Sequence, residues 1–478
     1  MTEWGVFVKK MKVKILSRNP ADYTRQSSTA IAPSHYNPDP ALHPLAAATE
    51  YTRALQSAKL ERIFAKPFLR QLSGHIDAVT TMCVRYGDVN TVGTGSADGE
   101  VRWWRLSTGE CKAIGKRAHQ GAVGGIGCWG KHVAHRAVSA GALDKVIRIW
   151  DVSAMEAASS TDEQAVGGRQ SMELQPMETY VSEHVLGGLD THHSSPLFCT
   201  ASGTGTVQVW SLESTSPLHS FAWGSDTVLN VRWNRVEQHI LASCATDRSV
   251  VLYDLRMRTP LARMITQLRT NALAWNPMEA FIFTTANEDH NMYTFDMRKM
   301  DHAINIMKDH VSAVLDVDYS PTGEMIVSGS YDRTIRLYDV GKHGASGHSR
   351  DVYHTKRMQK VMGVRFSMDS RFILSASDEG NVRVWKAKAH DQLGPRDWRE
   401  RRAGEYRESL KERYKHVAEV RHILKRRNTP KPVKKAQNVK RDMLSSRKQK
   451  EENRRKHSKG WQEKRKVERQ QVVLKVET

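Results

Sequence analysis

The stretch IMKDHVSAVLDVDYSPTGEMIVSGSYDRTIRLYDV, residues 306–340, carries one complete copy of a repeat. Val314–Tyr319, Glu324–Gly329 and Thr334–Tyr338 alternate apolar and polar residues, the period of a half-buried strand. Ser320-Pro321-Thr322-Gly323 and Tyr331-Asp332-Arg333-Thr334 supply the turns between them. A fourth, shorter strand is expected around Asp351–His354. The copy closes on an acid followed six residues later by an aromatic, Asp332…Tyr338. Moving outward, the same unit recurs as Asp98…Trp104, Asp144…Trp150, Asp247…Tyr253 and Asp289…Phe295, and as Glu379…Trp385 with a longer acid. Thr204…Trp210 keeps the aromatic without the acid. The seven aromatics are separated by 46, 60, 43, 42, 43 and 47 residues. A period of that length marks a radial β array rather than a helical solenoid.

Four antiparallel strands per period make one blade, and seven periods make a seven-bladed ring. Over roughly residues 60–388 the chain resembles the WD-repeat family. The expected fold is therefore all-β, a seven-bladed WD-repeat β-propeller with appended ends.

His310, Ser328 and Asp332 together suggest nucleophilic catalysis. Yet a Ser or Thr stands four residues before the acid in several periods, as in Thr94/Asp98, Ser243/Asp247, Thr285/Asp289 and Ser375/Glu379. A catalytic triad is needed once, not once per repeat. A buried carboxylate must find partners, because leaving it unpaired is very costly. The resemblance implies a structural network of His, Ser/Thr, Asp and Trp within a blade. His75, Thr94, Asp98 and Trp104 match the full set, and His310, Ser328, Asp332 and Tyr338 match it with Tyr for Trp. The third period lacks the acid, and the fourth and fifth lack the leading His. Gly93-x-Gly95-x-x-x-Gly99 lacks the Lys-Ser/Thr of a phosphate loop. The glycines at 121, 124, 125 and 127 head a strand, and His192-His193 has no companion at metal-ligand spacing. The residues point to no enzyme, metal or cofactor.

Five scattered cysteines, none in a Cys-x-x-Cys pair, read as reduced buried thiols. No apolar run reaches the ~20 residues of a membrane span, and the first residues show no secretory cleavage pattern.

Charge separates the ends from the ring. The chain is formally +21. From Lys386 to Thr478 there are 31 Lys+Arg against 13 Asp+Glu, so this tail carries +18 and the preceding 385 residues only +3. Residues 421–450 hold 12 basic residues and one acid, Asp442. Such density reads as a phosphate-contacting surface, as an import signal, or as both. The candidate contacts are Arg421, Lys425, Arg426, Arg427, Lys431, Lys434, Lys435, Lys440, Arg441, Arg454, Arg455 and Lys456. From Asp397, Trp398, Tyr406, Leu410, Tyr414, Val417, Val420 and Leu424 form one helical stripe, expected to pack on the propeller's side or base. Pro430 and Pro432 stop that helix. A second helix is expected from about Ala436 to Lys456, with too little apolar surface to be stable without a partner.

Pro20, Pro33, Pro38, Pro40 and Pro44 make Asn19–Leu55 an extended peptide, with a short helix over Thr49–Arg62. Phe68–Leu72 is expected to pair beside 371–388 and close the ring, since closure removes exposed strand edges. The expected organisation is an arm over 1–62, a propeller over 63–388 with a mobile loop insertion at 153–182, and a basic helical tail over 389–478.

Glu405–His416, Pro430-Lys431-Pro432 and Lys450–Ser458 resemble the Sof-type C-terminal domain that follows a WD-repeat propeller in one family of nucleolar proteins. Met11–Arg18 and Lys59–Phe68 resemble that family too. Its pattern begins near Met11, so residues 1–10 are either an extension or an upstream start. The resemblance implies a non-catalytic scaffold of the small-subunit processome, in the nucleolus of the nucleus. Its partners would be pre-ribosomal RNA, a box C/D small nucleolar RNP and other processome proteins. Family members have also been placed among DDB- and cullin-associated substrate receptors. Tyr253-Asp254-Leu255-Arg256 and Phe295-Asp296-Met297-Arg298 resemble the tetrad by which such receptors dock on a cullin-RING ligase adaptor, which singles out Asp254, Arg256, Asp296 and Arg298. The competing reading is that each Arg pairs with a neighbouring acid.

Overall fold

A computed structural model describes residues 42–130, 132–133, 135–153, 172–224, 226–341, 344–345, 347–395, 397–457 and 467–477. The chain divides into two compact units. One comprises residues 1–66 and 390–426, and the other 67–389 and 427–478.

The larger unit is a ring of seven antiparallel blades. Blade six shows the plan: Val314–Tyr319, Met325–Ser330 and Ile335–Gly341 pair in sequence, and Asp351–Tyr353 pairs outside them. Each blade's first strand meets its neighbours', and Val361–Phe366 of blade seven meets Val79–Val84 of blade one. Phe68–Ser73 is the outer strand of blade seven, with Phe68 opposite Trp385 and Ser73 opposite Asn381. The chain's first propeller strand thus locks onto its last and closes the ring.

The repeating aromatics explain the period. Trp104, Trp150, Trp210, Tyr253, Phe295, Tyr338 and Trp385 are each 3% exposed or less. The first six pack in clusters shared with the preceding blade of the ring, and Trp385 stacks on Tyr353 of blade six; such rings dominate core energetics. Adjacent blades are also stitched by inner-strand carboxylates. Asp190 accepts from the Trp233 N–H, Asp316 from the Val364 N–H and Asp318 from the Phe366 N–H, each at 2.9 Å. Gly125 and Gly127 lie on the first strand of blade two, where a Cβ would stand 2.5 Å from Leu189 and 2.4 Å from Thr191. Their task is close approach of neighbouring blades.

The 60-residue spacing has a structural cause. Of the expected insertion, 154–171 lie outside the described residues. Its remaining part contains two short strands. Met172–Glu173 adds in parallel to the outer edge of blade one, and Glu178–Val181 is the outer strand of blade two. The chain visits one blade's edge and returns to complete the other.

The smaller unit is helical. Helix α1 (Ala46–Ile63), α2 (Trp398–Arg413) and α3 (Ala418–Lys425) share a core of Ala54, Ala58, Leu410, Tyr414 and Val420. Ala54 and Ala58 let the helices approach closely. Lys411–Glu61 at 2.5 Å and Arg413–Glu50 at 2.9 Å flank that core. The stripe expected to lie on the propeller is therefore buried against the arm helix, and Trp398 stays exposed. The single helix expected from 397 to 424 is interrupted at Tyr414–Val417. The turn lets Leu410 before it, Tyr414 within it and Val420 after it reach one core. The proline-rich segment up to residue 41 lies outside the described residues, and the arm helix begins three residues earlier than expected.

Candidate nucleic-acid interface and docking tetrads

The basic tail is fixed to the propeller before it becomes exposed. Asp309, on blade six, is buried and accepts from the Ser349 N–H and hydroxyl, each at 2.7 Å, and from His348 Nδ1 at 2.9 Å. Arg336 Nη1 lies 3.7 Å away. Burial alone would raise the Asp309 carboxyl, but the hydrogen bonds from His348 and Ser349 and the Arg336 charge hold it down at about 2. Arg427 Nη1 donates to this carboxylate at 2.8 Å. Helix α4 (Lys431–His457) follows, with Val433 buried and Lys440 Nζ donating to the His310 carbonyl at 2.8 Å. Burial pushes the Lys440 ammonium down from its ordinary value, and Arg336 adds to this, while Asp289, Asp332 and Asp309 oppose it. Helix α4 starts five residues earlier than the sequence suggests. Pro432 occupies its first turn, where a missing N–H costs nothing, so this proline starts a helix as well as following one.

Two of the twelve predicted phosphate contacts, Arg427 and Lys440, are thus engaged on blade six. Arg421, Lys425 and Arg426 belong to the smaller unit and are exposed. Lys431, Lys434, Lys435, Arg441, Arg454 and Lys456 are exposed along α4, and Arg455 is half-buried with its Nε on the Glu451 carbonyl. Every residue from Arg441 to Arg454 is exposed. Beyond the tail helix, Val473–Glu477 adds a fifth strand to blade four, pairing antiparallel with Pro260–Thr266. Lys308–Glu468 at 2.5 Å holds the segment just before it. Sequence reasoning passed over this strand, although Val472-Val473-Leu474-Lys475-Val476 carries its β-branched signal.

The buried networks form, though not where the motif was most complete. In blade six His310 joins Asp332 at 3.0 Å and Ser328 at 2.6 Å. The Tyr338 hydroxyl has no hydrogen-bond partner among the described residues. Blade two holds the complete set, which the motif reading did not assemble. His119 joins Asp144 at 2.9 Å and Ser139 at 2.7 Å, and Trp150 Nε1 donates to Ser139 at 2.9 Å. In blade one His75 and Trp104 both reach Thr94 at 2.8 Å. There the His–Asp link stays open: His75 Nδ1 and Asp98 Oδ2 are buried without partners among the described residues. His75, Asp98 and Glu100 lie within reach of one metal ion, but Glu100 is already paired with Arg102 at 2.7 Å. The Ser–His–Asp trio of blade six is buried, with His310 and Ser328 at most 1% exposed. Its recurrence in blade two fits a structural element.

The two tetrads occupy equivalent corners of blades four and five. Arg298 pairs with Asp296 through Nη2–Oδ2 at 2.9 Å and Nε–Oδ1 at 3.1 Å, and its guanidinium lies 4.2 Å from the centre of the Phe281 ring. The hydrogen bond from Arg298 chiefly holds the Asp296 carboxyl below the ordinary carboxylate range, against burial. Asp254 accepts the Arg256 backbone N–H at 3.0 Å. Arg256 and Arg298 are both exposed, and Met257, next to Arg256 in the sequence, is 46% exposed.

Comparison with known proteins decides the family. Residues 387–473 match the Sof1-like domain, and 302–339 and 346–386 match the WD domain, G-beta repeat. The chain is 45% identical to DDB1- and CUL4-associated factor 13 of Xenopus laevis, over 94% of this chain and 96% of that protein. It is 41% identical to Protein SOF1 of Saccharomyces cerevisiae, over 93% of this chain and 91% of that protein. The chain belongs to the Sof1-like WD-repeat family. In this Sof1-like protein, the matched C-terminal domain includes all of α2, α3 and α4. The propeller alone is similar to the WD40 β-propeller domain of Doa1, with a TM-score of 0.52 and 18% identity, covering 67% of this chain and 96% of that one. That likeness concerns fold only.

Proposed function

We propose that this Sof1-like protein is a non-catalytic scaffold of the small-subunit processome. It acts in the nucleolus in pre-ribosomal RNA processing and small-subunit assembly. The propeller binds proteins, and the tail binds phosphates of pre-ribosomal RNA and of a box C/D small nucleolar RNP. One observation carries the reading: α4 is anchored at Arg427 and Lys440, then runs fully exposed from Arg441 to Arg454 with its cations unburied. A helical stretch whose every residue is exposed is accounted for by a partner. Phosphate contacts of this kind give affinity and salt dependence with little sequence preference. The test is crosslinking of the intact protein in cell extract and sequencing of the attached RNA. Ribosomal precursor or small nucleolar RNA is expected, and the absence of any enriched RNA defeats the reading.

A second reading has its own support. Relatives are named for association with DDB1 and CUL4, and Arg256 and Arg298 are exposed at equivalent corners of adjacent blades. In that role the chain is a substrate receptor of a cullin-RING ubiquitin ligase. Against it stands the Asp296–Arg298 pair, which uses the arginine within its own tetrad.

A further inference from the structure

Helix α4 offers phosphates a rigid row rather than a flexible basic peptide. It is 27 residues long, about 40 Å at 1.5 Å per residue. Arg427 and Lys440 brace its root on blade six. Lys434, Arg441 and Lys448 recur every seven residues, are all exposed, and so share one face, about 10.5 Å apart along the axis. Arg441 is 76% exposed, and its nearest acid is Asp442, with Nε and Oδ1 3.9 Å apart. Glu452 ends the row on its far side. Arg447 and Arg454 continue the row of the anchored Lys440.

The chemistry of the row indicates which form of RNA it suits. Recognition of single strands relies on aromatic rings that stack on unpaired bases. Residues 427–457 contain no Phe, Tyr or Trp. Double-helical RNA presents regular, stiff rows of phosphates and is recognised mainly by shape and backbone. A braced, straight row of cations loses little freedom on meeting such a partner, whereas a flexible strand would have to be straightened along it.

We infer that α4 binds double-helical RNA through its Lys434–Arg441–Lys448 face. This rests on the RNA-binding reading above and narrows its ligand to a duplex. The test compares a labelled 20-base-pair RNA duplex with its single strand, titrated with the full chain over a range of salt. The wild type is expected to bind the duplex at least tenfold more tightly. The variant K434E/R441E/K448E is expected to lose duplex affinity on the order of 100-fold and to flatten the salt slope by about two to three, at roughly 0.9 per lost phosphate contact. The neutral variant K434Q/R441Q/K448Q should fall between the two, and its unchanged melting temperature would show that the fold is intact. Equal or tighter binding of the single strand overturns the duplex inference and leaves RNA binding standing. Binding of neither RNA overturns both.

Discussion

At the residue scale, the buried networks make separable predictions. Ser328→Ala strips His310 Nε2 of its partner in a buried site, so it should cost about 1–3 kcal/mol, read as a lower melting temperature. Tyr338→Phe removes a hydroxyl that has no partner among the described residues. It should be neutral or slightly stabilising in the same melt, because a buried polar group is lost without a broken hydrogen bond. A drop for Tyr338→Phe as large as that for Ser328→Ala would mean the hydroxyl is satisfied after all. The histidines add a pH dependence. Burial lowers His75 to about 4 and lowers His119 and His310 from 6.5, against the pull of the aspartates beside them. The folded state therefore holds these rings neutral at pH values where the unfolded chain protonates them. Their contribution is complete above about pH 6.5 and falls as pH drops from there toward the folded values. The melting temperature should be flat above pH 7 and decline between pH 6.5 and 4. A flat profile down to pH 4.5 would contradict neutral buried histidines.

At the scale of elements, ring closure rests on one strand. Phe68–Ser73 stands before blade one in sequence but belongs to blade seven in space. Deleting residues up to Leu72 should lower the melting temperature sharply, since Leu72 is buried and the outer edge of blade seven would open. An unchanged melt would show that closure does not depend on it. The strand's place was legible because alternation and position coincide. The outer strand of blade two was not, because Glu178–Val181 is short and separated from its blade by a long stretch without strand pattern. The tail's aromatic stripe was legible as a helix face, but not its target. An amphipathic pattern states that a face is buried, not against what, and here Ala54 and Ala58 of α1 supply the matching surface. The break at Tyr414–Val417 follows from that target rather than from any helix-breaking residue.

At the scale of the whole molecule, the two functional readings use different surfaces and can be separated. Arg256→Glu with Arg298→Glu should abolish co-purification of a ligase adaptor while ribosome-precursor association persists. Loss of both together would place the tetrads in the processome contact instead. The tetrad residues were found by motif, and their corner positions follow from the repeat. The candidate phosphate contacts were picked out by charge density alone, which treats all twelve cations alike. The structure divides them into anchors, exposed row and smaller unit, because only tertiary contact reveals which cation already has a buried carboxylate or carbonyl to satisfy.

By itself the sequence determined the seven-bladed ring, its buried aromatics and the contrast between a nearly neutral platform and a strongly basic tail. Those properties follow from local periodicity and from counting charges, which need no knowledge of distant neighbours. The tertiary structure alone decided that Arg427 and Lys440 hold the tail to blade six. It also decided that Val473–Glu477 ends on blade four, and that the complete His–Ser–Asp–Trp network sits in blade two rather than blade one. Each of these depends on residues far apart in sequence meeting within hydrogen-bond distance, and no local pattern encodes that distance.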